Sequence, residues 1–276
     1  LIAVTALLAA LRIGWMYEGW IAAILPILGS IFMFRLALYL YDISNGKGPK
    51  DFWTSIGYFF MLPNLVFSFF PVVDSAAWTR TYYNEDALRI YRRGASYILR
   101  GLIHLLLYRV VQVYFVMMPD QIVDGVTFMQ HITSNFALYL RISGLFHLIV
   151  GLLLLFGYNL PETHSRFYFS NSFIDFWRRI NIYWKDFMQK MVFNPSYMMF
   201  KKIGVRHLTG VVLSMAVVFI LTWALHAYQW FWLSGTALFT PTDILFWTIL
   251  GVFLIAQTLI EARPKKQTSG GLLGPR

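Results

Sequence analysis

Residues 208–233 form a largely apolar stretch without a Lys, Arg, Asp or Glu, interrupted by one histidine, His226. A helix needs about 20 apolar residues to cross the hydrocarbon of a bilayer. In lipid each backbone N–H and C=O must be satisfied within its own segment, so a run of this kind is helical. The signature recurs at 21–41, 52–73, 96–118, 136–158 and 244–260, and 1–11 reads as the remnant of a span at a fragment boundary. With no basic region before it, 1–11 is poor as a signal peptide. Pro63 and Pro71 punctuate 52–73, which predicts kinked or re-entrant geometry there. Only 13% of residues are charged, against about a quarter in a soluble domain. The expected fold is all-α, a polytopic transmembrane helical bundle over 1–262, with 263–276 a disordered polar tail.

The charge that is present is unevenly placed. Lys and Arg gather in 74–95, in 159–207 and in the tail, whereas 119–135 and 234–243 contain none. Alternation of this kind is what the positive-inside rule produces, so the basic loops and the C-terminus are expected on the cytoplasmic side. The net charge of +10 is then topological, a match to anionic lipid, and no nucleic-acid partner is expected. If Leu208 starts on the inside, His226 lies roughly 27 Å along its helix, in the outer half of the bilayer. The polar segment 42–51 should be a turn. The chain has no cysteine, which excludes disulfides, metal–thiolate sites and thiol nucleophiles together. No metal site is expected, because the methionines, Met188 and Met191 among them, have no accompanying ligands.

Before the His226 span comes a second unusual stretch. At 100° per residue, Phe173, Phe176, Trp177, Ile180, Trp184, Phe187 and Met191 fall on one helical face. Asp175, Arg178, Arg179, Lys185, Asp186 and Gln189 fall on the other, which predicts one amphipathic helix over 173–191, interfacial or re-entrant. Asn181, about 80° from Phe173, sits at the margin of the apolar stripe beside Met188. The plainest reading is an interfacial helix with a boundary asparagine. A histidine deep in a span, by contrast, is costly and marks a candidate functional site.

Residues 176–187, Phe-Trp-Arg-Arg-Ile-Asn-Ile-Tyr-Trp-Lys-Asp-Phe, resemble the signature helix of the membrane-bound O-acyltransferase (MBOAT) family, and the proline-punctuated stretch 59–74 resembles one upstream in its bacterial members. In the family a His or Asn in this helix is followed by a Trp-His-Gly element, to which Asn181 and Leu225-His226-Ala227 correspond. The chain departs from the pattern at Ile180, where bacterial members have Trp, and in the tryptophan displaced to Trp223. The resemblance covers roughly 21–262 and implies a bundle lacking part of the family core at one or both ends.

What the resemblance implies is an integral, multi-pass enzyme, of the cytoplasmic membrane if bacterial. It would move an acyl group, often acetyl, from a thioester to a hydroxyl of an envelope polysaccharide or lipid. The donor would be acyl-coenzyme A or an acyl-carrier thioester acting as substrate, with no bound cofactor, and an accessory envelope protein is a possible partner. His226 would act as general base and Asn181 would orient it or meet the oxyanion, while Trp177, Arg178, Arg179, Trp184 and Trp223 would bind substrate. The plainer reading of the cationic face, Arg178, Arg179 and Lys185, is lipid-headgroup contact, the other being the phosphates of coenzyme A at a cytoplasmic entrance. With no cysteine and no serine motif beside His226, transfer is expected to be direct. Two alternatives stand beside this: a transporter or flippase with His226 on a proton or substrate path, and a non-catalytic truncated relative. Among other polar residues, His104, Arg109, Arg141 and His147 are expected to pair inside the bundle, or else to line a donor tunnel. His131, His164 and His207 are assigned to loops without function.

Overall fold

The computed structural model describes residues 31–49, 51–61, 71–234 and 239–261, together with Ala6 and Ala10. The expected partial span at 1–11, the first half of the 21–41 run, Pro63 and the tail lie outside the described residues. What is described is helical without a strand, apart from one isolated bridge between Tyr82 and Tyr158. Four stretches are long and apolar enough to cross a membrane: Ala87–Tyr114, Gly125–Leu155, His207–Trp232 and Pro241–Glu261. Their outward faces carry large apolar side chains, with Leu106 66% and Val252 60% exposed, a surface suited to a lipid environment.

The first described helices, α1 (Ile31–Ser44), α2 (Phe52–Phe60) and α3 (Ser75–Thr81), pack around an aromatic core. Arg35 of α1 is fully buried there, its guanidinium 4.1 Å from the Tyr58 ring centroid and 4.7 Å from that of Trp78. Asp42, expected in a polar turn, instead belongs to the last turns of α1 and is 0% exposed. Its carboxylate accepts hydrogen bonds from Ser75 N (3.0 Å), Ser75 Oγ (2.8 Å) and Lys190 Nζ (2.6 Å). A buried carboxylate so saturated holds three separate segments together.

Helix α4 (Ala87–Tyr114) starts nine residues before the expected span, because Asp86 caps it and the arginines near its start extend the apolar run without ending the helix. The expected acidic loop after it is largely helical: α5 (Gly125–Ala137) leads almost directly into α6 (Tyr139–Leu155). Asp124 and Thr127 form a reciprocal capping box, Asp124 Oδ1 accepting from Thr127 N (2.8 Å) and Thr127 Oγ1 from Asp124 N (3.0 Å), a start signal that the acidity of the stretch masked.

Helices α4 and α6 pack backbone against backbone. A methyl group at Gly101 would stand 2.8 Å from Gly144 O, and one at Gly151 would stand 3.0 Å from Gly94 O. Small residues at such contacts let two spans gain van der Waals packing where no hydrophobic force acts between them.

The expected continuous helix over 173–191 is in fact broken. Helix α7 (Phe173–Ile180) ends and α8 (Ile182–Met188) begins at Asn181, whose backbone is extended (φ −152, ψ 98). Asn181 Oδ1 accepts from Trp184 N at 3.0 Å, the contact of an N-cap. The flanking isoleucines are β-branched, which lowers helix propensity around the cap. A π-helical turn (Gln189–Phe193) then joins α8 to α9 (Asn194–Lys202). At the start of α7, Phe173, projected onto the apolar face, is exposed, and Ile174 is buried in its place. Helices α10 (His207–Ser234) and α11 (Pro241–Glu261) complete the described fold.

Candidate active site at the broken helix

A break in a helix exposes backbone polar groups, and four of those freed here find partners: Ile182 N, Trp184 N, Arg179 O and Ile180 O. The strap at residues 161–165 runs beside the break and supplies partners. Ile182 N donates to Thr163 O (2.7 Å), Ser165 N donates to Arg179 O (3.0 Å), and Tyr183 Oη donates to Pro161 O (2.6 Å). From α6, Tyr139 Oη donates to Ile180 O at 3.2 Å. Interrupted backbone is tolerated in a membrane protein where it is buried in protein or lines a cavity, and here it does both.

Beside the break lies a cavity of about 490 Å³, walled by the strap, by α6, α7, α8, α10 and α11, and by Pro71 and Val72. Its surface is mainly aromatic and apolar, with Tyr139, Trp177, Trp184 and Trp247 among its walls. Asn181 and His226 both open onto it. His226 Nδ1 lies 2.8 Å from Thr222 O, its own helix one turn back. A carbonyl only accepts, so Nδ1 carries the proton and the lone pair belongs to Nε2. The imidazole is flanked by Trp184 and Trp247, each 5.4 Å from it between ring centroids. No hydrogen bond joins Asn181 to His226 among the described residues. The ring is oriented by Thr222, and Asn181, with Oδ1 committed to Trp184 N, keeps Nδ2 for whatever enters.

Of the remaining expected site residues, Trp177 and Trp184 line the cavity and three do not. Arg178 is exposed, and Arg179 Nε is bonded to Asp175 Oδ1 at 2.7 Å, one turn back on α7. That hydrogen bond holds the Asp175 carboxyl below the usual carboxylate range. Trp223 packs against Phe239, ring centroids 5.8 Å apart, outside the cavity wall. Charge on the far face of an amphipathic helix turns away from a cavity lined by its apolar face, which is why the two arginines drop out. Two further cavities adjoin. One of about 160 Å³ shares Val72 and Tyr183 with the first and reaches Asp74 and Lys190. The next, of about 530 Å³, shares Asp74 and Lys190 and adds Lys47 and Arg80.

Tyr139, Thr163, Gln229 and Trp247 line the main cavity and were not singled out in the sequence. Gln229 had a signal, being three residues from His226 and so on the same helical side. Thr163 had none, since its place depends on the strap meeting the break.

Of the other histidines, His104 and His147 meet inside the bundle as expected, His164 lies in a loop as expected but is buried, and His131 and His207 lie in helices. His164, assigned to a loop without function, is 7% exposed, and its Nε2 lies 2.7 Å from Ser143 Oγ. His104 Nδ1 lies 2.8 Å from that same hydroxyl. Ser143 has one proton to give, so it donates to one ring and accepts from the other. His147, beside both, donates from Nδ1 to Ser143 O (2.8 Å). Burial, with His147 and His104 adding, pushes the His164 imidazole down to about 4. His131 lies within α5 and His207 opens α10, bonded to Tyr197 Oη. Arg109 and Arg141, expected inside the bundle, are exposed; Arg109 bonds Gln112 and Arg141 faces the Tyr108 ring. Among the described residues, no group of three or more His, Asp or Glu is placed to hold a metal ion. No protein-family model matches the chain, and no curated protein matches it.

Proposed function

We propose that the chain is an MBOAT-like integral-membrane O-acyltransferase working in a multi-pass bundle, with the 490 Å³ cavity as its reaction chamber. The observation that carries this reading is His226: Nδ1 spent on Thr222 O, Nε2 without a described partner, and the ring opening onto a cavity shared with Asn181. A neutral imidazole held in one tautomer is a general base. In the proposed step the acceptor oxygen attacks the thioester carbonyl carbon while Nε2 takes the hydroxyl proton. Asn181 Nδ2 donates to the oxyanion as the tetrahedral intermediate forms. Collapse re-forms the carbonyl and breaks the C–S bond, and the imidazolium returns its proton to the leaving thiolate. The products are an ester and a free thiol, with no acyl-enzyme.

The chain of cavities supports a donor route. Its far end carries Lys47 and Arg80 beside Asp42 and Asp74, whose charge Lys190 offsets, so Lys47 and Arg80 are the cations placed to meet the phosphates of acyl-coenzyme A or of an acyl-carrier prosthetic group. The acceptor would be a hydroxyl of an envelope glycan or lipid, delivered alone or by an accessory protein.

The test is thiol release from acetyl-coenzyme A, with mass spectrometry of added glycan acceptors, using the purified chain in lipid nanodiscs. His226→Ala should lower transfer by about 10²–10⁴-fold with unchanged insertion and elution. A variant as fast as wild type, or a trapped covalent acyl-protein, refutes the mechanism. One observation favours a second reading, a transporter: a discontinuous helix beside a buried cavity is also how transporters build substrate sites. Solute flux into proteoliposomes without thioester turnover would establish that reading instead.

A further inference from the structure

Gln229 is a polar cavity group to which the proposed reaction gives no task. It follows His226 by three residues on α10, about 4.5 Å further along the axis and about 60° around it, on the same side of the helix. It is half-buried and lines the cavity with His226 and Asn181. Its carboxamide bonds no other described residue. Most of the other residues lining that wall are aromatic or aliphatic. A carboxamide without a described partner on such a wall is placed to hydrogen-bond the cavity's occupant.

We infer that Gln229 is a substrate-positioning residue: its carboxamide binds a hydroxyl adjacent to the reacting hydroxyl of the acceptor and turns the latter toward His226 Nε2. This rests on the O-acyl-transfer reading. A general base must lie about 2.6–3.2 Å from the oxygen it deprotonates, and an acceptor held at one point still swivels. A second contact removes that freedom and populates the near-attack geometry. The polar groups divide the work by their chemistry. His226 Nε2 accepts, Asn181 Nδ2 donates, and Gln229 alone among the three does both, as does a hydroxyl. Trp184 and Trp247, flanking His226, present flat apolar faces to the body of the acceptor. The acceptor class is therefore a polyhydroxylated molecule. A lipid alcohol with one hydroxyl would leave the amide unpaired, and a site built to pair a group rejects substrates that lack it.

The experiment compares two probe acceptors, methyl glucoside and 1-octanol, with acetyl-coenzyme A as donor and the full chain in nanodiscs. Gln229→Leu should lower the ratio of kcat/KM for glucoside over octanol by about tenfold or more, the loss of one hydrogen bond. Gln229→Glu, which keeps an acceptor and loses the donor, should fall between leucine and wild type. Should the leucine variant fail to fold, Gln229→Met repeats the comparison with an unbranched side chain. Equal losses on both acceptors, or no loss on either, overturn the assignment. If wild type transfers to neither acceptor, the acyltransferase reading fails on its own, and tryptophan fluorescence during a methyl glucoside titration then reads Gln229 directly. Binding by wild type that weakens tenfold in Gln229→Leu supports the positioning role; absent or equal binding removes it.

Discussion

On the proposed acyl-transfer reading Asn181 has two tasks on two different atoms, and substitutions can separate them. Its Oδ1 caps α8 through Trp184 N, while Nδ2 has no described partner and belongs to a residue on the cavity wall. Losing an asparagine cap costs about 1 kcal/mol, within a range of about 0.5–2. Losing an oxyanion donor costs about 10²–10³ in kcat, or roughly 2.7–4 kcal/mol of transition-state free energy. The chemical effect is thus expected to exceed the structural one by a factor of about three. Helix α8 has only seven residues and would not form alone; buried Tyr183, Phe187 and Met188 hold it in place, so the break survives a weakened cap. Asn181→Ala should lower stability by about 1 kcal/mol, read by tryptophan fluorescence during denaturant titration in mixed micelles. Asn181→Asp and Asn181→Ser keep an oxygen for Trp184 N and should unfold close to wild type. Asn181→Ala and Asn181→Asp lack the amide N–H, and Asn181→Asp adds negative charge where the oxyanion forms. Both should lose acyl transfer by about 10² or more. Activity that tracks stability across the series, with Asn181→Asp active at the wild-type rate, would reduce Asn181 to a cap and refute the reasoning.

Two further perturbations probe the scaffold. A methyl group at Gly144 would meet Leu105 Cγ at 2.7 Å and Gly101 O at 2.9 Å, and the second is backbone that cannot swing aside. Gly144→Ala should therefore cost about 1–3 kcal/mol, whereas at Gly210 the nearest atom would be Tyr197 Cε2 at 3.5 Å, so Gly210→Ala should gain about 0.5–1 kcal/mol; equal effects in the same titration would contradict the close α4–α6 contact. His164 titrates at about 4 in the fold against 6.5 ordinarily. Above pH 6.5 neither the folded nor the unfolded chain is charged there. Between 6.5 and about 4 the unfolded chain takes a proton that the fold refuses, so stability should fall by about 1.4 kcal/mol per pH unit, roughly 3 kcal/mol in all. His164→Gln should flatten thermal stability across that window, and an unchanged slope would place the acid sensitivity elsewhere.

Helical class and the long apolar runs were legible because each rests on a local property. The stretches 208–233 and 244–260 agree with α10 and α11 to within a few residues, since span length follows from hydropathy alone. Boundaries governed by caps were read less well: the Asp124–Thr127 box that starts α5 was hidden within a stretch scored by its charge. The paired spacings Gly94–Gly101 and Gly144–Gly151 were present in the sequence, but only the assembled helices show that they face each other.

Of the expected site residues, His226 and Asn181 both line the cavity, whereas lining residues whose place depends on a partner, such as Thr163, carried no signal in the sequence. His226 stands out because a lone imidazole in an apolar span is costly wherever it points. Arg178 and Arg179 lie on the charged face of α7, and the cavity is lined by its apolar face, so they stand away from it. The break at Asn181 is itself non-local. Asn181 can cap a helix start in many contexts, but the groups it frees are answered by Thr163, Ser165 and Tyr139, which lie 42 residues or fewer before it and on other elements. His164 completes the same argument. It lies in a loop, as expected, and from there ties the strap to Ser143 on α6 and, through that hydroxyl, to His104 on α4. The glycine contact between α4 and α6 brings those two spans close enough for the bridge to form. The bridge holds the strap, and the strap satisfies the broken backbone from which Asn181 faces the cavity. The geometry of the cavity is therefore set partly by two helices whose histidines, His104 and His147, serve the packing around Ser143 and line no part of the cavity.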